Sequence, residues 1–117
     1  KKGIRTSLFI DPSLRDVKIA KELNADCVEL HTGKISDQVK NNKSYKLEFK
    51  KIKKCCEFAK KLGLEVHAGH GLDYKTTNIL SKLREIEEFN IGHFIIGESL
   101  IFGLKNKIKK FKKIFNT

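Results

Sequence analysis

Short apolar runs alternate with segments of helical periodicity along the chain. Each run is rich in Leu, Ile, Val or Phe, and the segment after it repeats apolar residues at three- to four-residue spacing, as an amphipathic helix does. The predicted strands are residues 4–10, 26–30, 64–68 and 86–91. A strand followed by a helix, repeated in this way, calls for a parallel sheet covered by helices. The pattern therefore predicts the α/β class.

The segments between these strands predict helices. Asp11-Pro12-Ser13 is a typical helix start, with a capping side chain and a proline near the first turn. The predicted helices are residues 14–23, 49–62, 75–83, 94–102 and 104–115, although residues 94–96 could be strand on propensity alone. Residues 34–44 are polar and predict a loop, longer than most connections, of the kind that acts as a lid or meets a neighbouring subunit.

Four strand–helix units in 117 residues are about half of a (β/α)8 TIM barrel, which takes ~250 residues. A small doubly wound sheet is the alternative architecture. That fold usually has a glycine-rich phosphate turn after its first strand, whereas Asp11-Pro12-Ser13 follows the first strand here. The barrel is therefore favoured. The chain opens on Lys1-Lys2-Gly3 without an initiator Met, so we expect it to lack an N-terminal portion.

The formal net charge of +11 raises the possibility of an anionic partner such as nucleic acid. However, all but three of the 25 basic residues are Lys. Recognition of phosphates and base edges favours Arg, so the Lys excess is more typical of solvated helix faces. We expect no nucleic acid partner. No apolar stretch approaches the ~20 residues that span a bilayer, and we expect no membrane association.

The three cysteines, Cys27, Cys55 and Cys56, do not suggest a disulfide framework. Their odd number, with two adjacent in a helical pattern, predicts a reducing compartment, and we expect a cytoplasmic location. His67 and His70 are three residues apart, which on a strand directs them to opposite faces, and the chain has no CxxC pair. We therefore predict no metal site.

Candidate catalytic residues lie at the predicted carboxyl ends of the strands, where a parallel barrel has its active site. Glu29 is a carboxylate within an apolar strand. If Val28 and Leu30 face the helices, Glu29 points into the barrel, where an unused charge is costly. A structural ion pair is the alternative to catalysis. Neighbouring parallel strands would bring Glu29 to the same mouth as His70.

His70 lies between two glycines, so a ligand can approach the backbone closely while the imidazole stays reachable for general acid or base work. A hydrogen-bonded turn histidine is the alternative. Gly92 and His93 precede a predicted short helix. Free amides and the dipole at such a helix start favour an anion, although Gly92 could also be an ordinary loop glycine.

Four sequence motifs occur in an order that resembles the C-terminal half of the pyridoxine 5′-phosphate synthase family of vitamin B6 biosynthesis. The motifs are SLFIDP (residues 7–12), VELHTG (28–33), AGHGLDY (68–74) and NIGHFIIG (90–97). The resemblance covers essentially the whole chain. It implies that residues 1–117 are the C-terminal four units of a single (β/α)8 barrel domain.

The resemblance also implies an activity. The family condenses 1-deoxy-D-xylulose 5-phosphate with 3-amino-2-oxopropyl phosphate, releasing pyridoxine 5′-phosphate, phosphate and water. It uses no metal or organic cofactor and forms dimers that assemble into octamers. The matching positions imply catalysis by Glu29, proton donation by His70, and contacts of Gly71, Gly92 and His93 with 3-amino-2-oxopropyl phosphate.

Two positions depart from the family, in which Asn often replaces His67 and Arg often replaces Glu98. The family also draws a catalytic His, a catalytic Glu and phosphate-binding residues from its first half. We therefore expect this chain to be inactive alone, since an open half barrel exposes sheet edges and core. The alternatives are another phosphate-binding barrel enzyme, such as a sugar-phosphate isomerase or synthase, and a basic module that binds nucleic acid through its last helix.

Overall fold

The computed structural model describes residues 2–116, which form a parallel α/β structure. The strands are β1 (Ser7–Ile10), β2 (Cys27–His31), β3 (Glu65–Gly69) and β4 (Ile86–Asn90). The helices are α1 (Leu14–Glu22), α2 (Gly33–Lys40), α3 (Lys46–Lys61), α4 (Tyr74–Leu80), α5 (His93–Phe102) and α6 (Leu104–Phe115). The predicted α/β class is confirmed. None of these helices combines the length and apolar composition needed to cross a membrane.

The strands lie in the sheet in the order in which they follow along the chain, β1-β2-β3-β4, and every pair is parallel. Within the described residues, β1 and β4 are therefore the two edges of the sheet. The register pairs Glu29 with His67 and His31 with Gly69. Consecutive strand ends consequently meet along one edge of the sheet, which is where the candidate residues lie.

Alternation along β2 determines which side chains face the helices. Val28 and Leu30 are fully buried in the core beneath the helices, whereas Glu29 and His31 are only partly buried. The helices contribute the apolar side of this core, including Val17 of α1 and Ile52 of α3. The expectation that Glu29 points away from the helices is confirmed.

The prediction of a loop over residues 34–44 is wrong, because residues 33–40 form α2. Ile35 and Val39 are four residues apart and both are buried, so they lie on one face of the helix and pack it against the core. All the other residues of the segment are polar or glycine, so the sequence shows no clear helical periodicity. The connection to α3 is only residues 41–45.

Other boundaries differ by a few residues. β1 begins at Ser7 rather than at Ile4, whose side chain is exposed. Ser13 caps α1 as predicted, since its hydroxyl accepts a hydrogen bond from the amide of Asp16 at 3.0 Å. Residues 94–96 are helical, so the strand alternative there is wrong. The other ends shift by up to three residues, within the usual uncertainty of boundaries predicted from sequence.

The amino end of β2 is tied to the chain before β1 by Asp26. Its carboxylate accepts hydrogen bonds from the amide of Thr6 at 2.7 Å and from the Thr6 hydroxyl at 3.2 Å. These bonds hold the pKa of Asp26 below its ordinary value of 3.8. A pKa that is lower in the folded state adds stability above the unfolded value, and this stability disappears as the pH falls through the folded value.

Asp26→Asn should therefore lower the melting temperature at neutral pH and flatten its decline in acid. The measurement is thermal unfolding of the protein and the variant from about pH 7 to pH 3. The two curves should draw closer toward the acid end, as the pH falls through the lowered pKa of Asp26 and its carboxylate takes up a proton. Parallel curves over the whole range would contradict this role for Asp26.

Candidate active site at the carboxyl ends of the strands

A cleft of about 680 Å³ lies beside the carboxyl ends of β3 and β4. Four of the predicted site residues line it: His70, Gly71, Gly92 and His93. The other residues of its wall belong to the segments 33–40, 72–73, 90–91 and 94. Helix α2, which the sequence did not predict, thus forms one side of the cleft.

Glu29 reaches this region from β2 by crossing the adjacent strand. Its Oε2 accepts a hydrogen bond from the side-chain amide of Asn90, at the end of β4, at 2.9 Å. Gly69 lies between them on β3, and a Cβ there would overlap the Glu29 carboxylate. The absence of a side chain at Gly69 therefore permits a contact between β2 and β4 across β3. Asn90 itself lines the cleft, so it links Glu29 to the other site residues.

His70 follows β3 and has a backbone φ of +79°, followed by Gly71 at +73°. Such a conformation is uncommon for a residue with a side chain and is often associated with a functional site. The imidazole of His70 is stacked on that of His31, with ring centroids 4.6 Å apart and an angle of 24° between planes. Phe9 lies against His31, at 5.2 Å between centroids. Aromatic rings from β1 and β2 thus support His70 on one side.

Thr32 fixes the backbone turn that carries His70. Its side chain is fully buried, and its hydroxyl lies 2.7 Å from the carbonyl oxygen of Gly69 and 2.8 Å from that of His70. Its amide donates to the same Gly69 carbonyl at 2.8 Å. The end of β2 therefore holds the end of β3, which stabilises the positive φ of His70.

Gly92 and His93 lie at the start of α5, as predicted, and both are exposed to the cleft. Among residues 2–116, no side chain caps this helix start. A Cβ at Gly92 would meet nothing within 4 Å. Glycine therefore keeps the entrance to the helix amides open, which is the arrangement that favours an anion at a helix N-terminus.

Sequence reasoning did not assign Asn90, Thr32 or the residues of α2 to the site. Asn90 and Thr32 both fall within the motifs NIGH and HTG, next to assigned residues, so their position was a usable signal. The residues of α2 could not be assigned to the site, because their polar segment predicted a loop and gave no position relative to the strand ends.

His67, on β3, lies outside the cleft, in a cluster of charged and polar side chains from β2, from β3 and from the segment before β1. Atoms of Cys27, Glu65 and His67 lie within 4.8 Å of one another, a spacing that could hold a metal ion. Arg5 already occupies this cluster, because its guanidinium pairs with Glu65, and bonds to Glu65 and Cys27 raise its pKa. A cation is therefore present in the protein itself, and the prediction that metal is not bound is retained.

Cys55 and Cys56, on α3, are buried free thiols. Burial raises the pKa of Cys56 to about 12 and also raises that of Cys55. Thiols of this kind are neutral at physiological pH, and only the thiolate is an effective nucleophile or metal ligand. These two residues are therefore core residues.

Glu98, the second departure from the family pattern, pairs with α6 rather than facing the cleft. Its Oε2 lies 2.7 Å from the ammonium of Lys107, which is largely buried and stands over the ring of Phe102 at 3.8 Å from its centroid. The ion pair raises the pKa of Lys107. Glu98 thus joins the short helix α5 to α6.

The parallel sheet and its helical cover define an α/β protein, and the polar cleft at the carboxyl edge of its sheet is the candidate ligand site. Residues 1–117 match the family model described as "Pyridoxal phosphate biosynthesis protein PdxJ". The chain belongs to this family.

Three relatives of the chain are curated as pyridoxine 5′-phosphate synthases. The protein of Pelagibacter ubique is 75% identical over 116 residues, which are 99% of this chain and 48% of the relative. Those of a Sulfurihydrogenibium species and Zymomonas mobilis are each 44% identical, over 96% and 97% of this chain and 45% and 44% of their own lengths. The chain thus spans about half the length of the curated relatives it matches.

Proposed function

We propose that the chain is part of an enzyme that makes pyridoxine 5′-phosphate. The reaction condenses 1-deoxy-D-xylulose 5-phosphate with 3-amino-2-oxopropyl phosphate and also yields phosphate and water. One observation carries the proposal. The cleft that contains His70, Gly71, Gly92 and His93 is linked through Asn90 to the carboxylate of Glu29, so candidate proton-transfer groups and a candidate phosphate site adjoin.

Each residue has a role that its surroundings support. The His70 ring is exposed on its free face and held by the His31 ring on the other, which suits a proton donor that must meet a substrate. Glu29 keeps one carboxylate oxygen on the Asn90 amide, which orients the other for acid or base work. Gly71, Gly92 and His93 hold the phosphate of 3-amino-2-oxopropyl phosphate.

We propose that this sheet is the C-terminal half of a single (β/α)8 barrel formed by the full-length protein. Sequential parallel strands and open edges at β1 and β4 support this arrangement. A doubly wound sheet reverses its strand order, and no reversal occurs within the described residues. Phe9, on edge strand β1, is 55% exposed and would be covered by the other half.

The remaining features of the family are carried over as predictions. The full-length protein should act without a metal or organic cofactor, lie in the cytoplasm, and assemble as dimers into an octamer. Sedimentation of the purified protein measures the assembly. Activity after exhaustive treatment with a chelator measures the independence from metal.

The decisive assay supplies both substrates to the full-length protein and measures pyridoxine 5′-phosphate by chromatography. Omitting either substrate is the control, and neither omission should give product. The chain alone, without the rest of the protein, should give none. Well-folded full-length protein that forms no product would contradict the proposed function.

Gly69→Ala should impair this site with little effect on the fold. The new methyl group would displace the Glu29 carboxylate, which is the end of a flexible side chain and can move aside. Because misplacement of a reacting group by about 1 Å can cost ~10²-fold in rate, we expect kcat to fall by about that factor. Melting temperature should change little.

Gly97→Ala is a matched control, since a Cβ there would meet nothing within 4 Å and the residue lies inside α5. Its kcat should remain near that of the wild type. Full activity in Gly69→Ala would mean that the contact between Glu29 and Asn90 is not needed for turnover.

A further inference from the structure

Ser36, on the cleft-facing side of α2, has a buried hydroxyl that nothing in the described chain satisfies. The residue is 6% exposed, and its Oγ has no hydrogen-bond partner among residues 2–116. A hydroxyl that leaves water without gaining a partner disfavours folding. Unlike the unsatisfied hydroxyl of Thr77, that of Ser36 belongs to a residue that lines the cleft, where a partner from outside the described chain can bind.

The position of Ser36 indicates what that partner is. Ser36 lines the same cleft as Gly71 and His93. A Cβ placed on Gly71 would lie 3.2 Å from the Ser36 Cβ and 3.4 Å from its Oγ. A side chain at this position would crowd Ser36, so the absence of one at Gly71 lets α2 pack directly against the Gly71 backbone, and the two residues form one wall of the cleft.

The first turn of α2 adds favourable groups for an anion. This helix has eight residues and begins at Gly33, which also lines the cleft. Thr32 precedes it but does not cap it, because its hydroxyl is turned toward the carbonyl oxygens of Gly69 and His70. The amides of the first turn, which have no partner within a helix, are left for a ligand. Lys40 places a positive charge on the same cleft, whose lining also includes the carboxylates of Asp37 and Asp73, so the first-turn amides carry the argument for an anion.

We propose that Ser36 is a further substrate-binding residue, whose hydroxyl donates a hydrogen bond to a phosphate oxygen bound in the cleft, at the wall that Gly71 and the first turn of α2 form together. The ligand class is a phosphate monoester. The identity of that ester rests on the proposed function, in which Gly71 contacts 3-amino-2-oxopropyl phosphate. Ser36 binds the substrate and takes no part in proton transfer.

Ser36→Ala in the full-length protein tests this role. Hydrogen bonds to charged groups are the stronger ones, so KM for 3-amino-2-oxopropyl phosphate and the calorimetric Kd for inorganic phosphate should both rise about tenfold. The values of kcat and of KM for 1-deoxy-D-xylulose 5-phosphate should stay near those of the wild type. Melting temperature without ligand should be unchanged or higher, because an unsatisfied buried hydroxyl has been removed.

A purely structural role of Ser36 predicts different changes in melting temperature and in phosphate binding. If the hydroxyl supported the fold, Ser36→Ala would lower the melting temperature and leave phosphate binding unchanged. Thr77→Val is the matched control: Thr77 is fully buried on α4, its hydroxyl also has no partner among the described residues, and it does not line the cleft. Its phosphate binding should equal that of the wild type.

The outcomes separate this proposal from the proposed function. If the full-length protein forms pyridoxine 5′-phosphate but Ser36→Ala binds both phosphates as tightly as the wild type, the role of Ser36 is wrong and the function stands. If the protein forms no product, yet Ser36→Ala weakens inorganic phosphate binding and Thr77→Val does not, the function is wrong and the role of Ser36 stands.

Discussion

In the proposed reaction, where His70 is the proton donor, His70→Asn should lower kcat of the full-length protein by about 10²–10⁴-fold, the usual contribution of a general acid. Asparagine cannot deliver a proton at neutral pH, but it tolerates a positive φ better than most residues. The backbone at φ +79° should therefore persist, together with the contacts that Thr32 makes to it. Steady-state kinetics and thermal unfolding of the same preparations provide the two measurements.

His67→Asn makes the same chemical change at a buried histidine outside the cleft, where it contacts Glu65 at 2.8 Å. It should leave kcat within a small factor of the wild-type value. If His70→Asn lost stability in proportion to activity, His70 would be a structural turn residue, which is the alternative that its sequence context left open.

Glu29→Gln is the second substitution from which we expect a large loss, about 10²-fold or more in kcat. The glutamine side chain keeps the size of Glu29, and its carbonyl oxygen can still accept the hydrogen bond from Asn90. Only the charge and the capacity to exchange a proton are removed. Single-turnover measurements with both substrates bound would separate this loss from any change in substrate binding.

Glu57→Gln is the control for Glu29→Gln, because Glu57 is exposed on α3 and its one ion pair within the described part of the chain is with Lys53, at 3.8 Å. Pairs of this kind add little stability, and activity should be unaffected. If Glu29→Gln were equally active, Glu29 would be a partner that orients Asn90 and no more.

The strands and most helices could be predicted because the local pattern alone determines them. Val28 and Leu30 alternate with polar neighbours on β2, and Val17 and Ala20 lie at helical spacing on α1. Helix α2 could not be predicted in the same way. Its stripe is only Ile35 and Val39, and its stability comes from packing against the rest of the core.

The assembly of the site could be predicted only in part. Parallel pairing of adjacent strands was enough to bring Glu29 and His70 to one edge of the sheet. The hydrogen bond from Asn90 to Glu29 joins residues 61 positions apart and depends on an empty space at Gly69. No periodicity or motif spacing encodes such a contact, because it depends on three strands at once.

The pairing of β2 with β3 also governs how this site could be inherited or exchanged. A recombination crossover within residues 41–45 would part the segment that carries Glu29 from the segment that carries His70. A crossover within residues 23–26 would transfer Glu29 and His70 together and would keep the hydrogen bond from Thr32 to the end of β3. The transferred block must nevertheless extend through Asn90, since a grafted Glu29 would otherwise lose its amide partner.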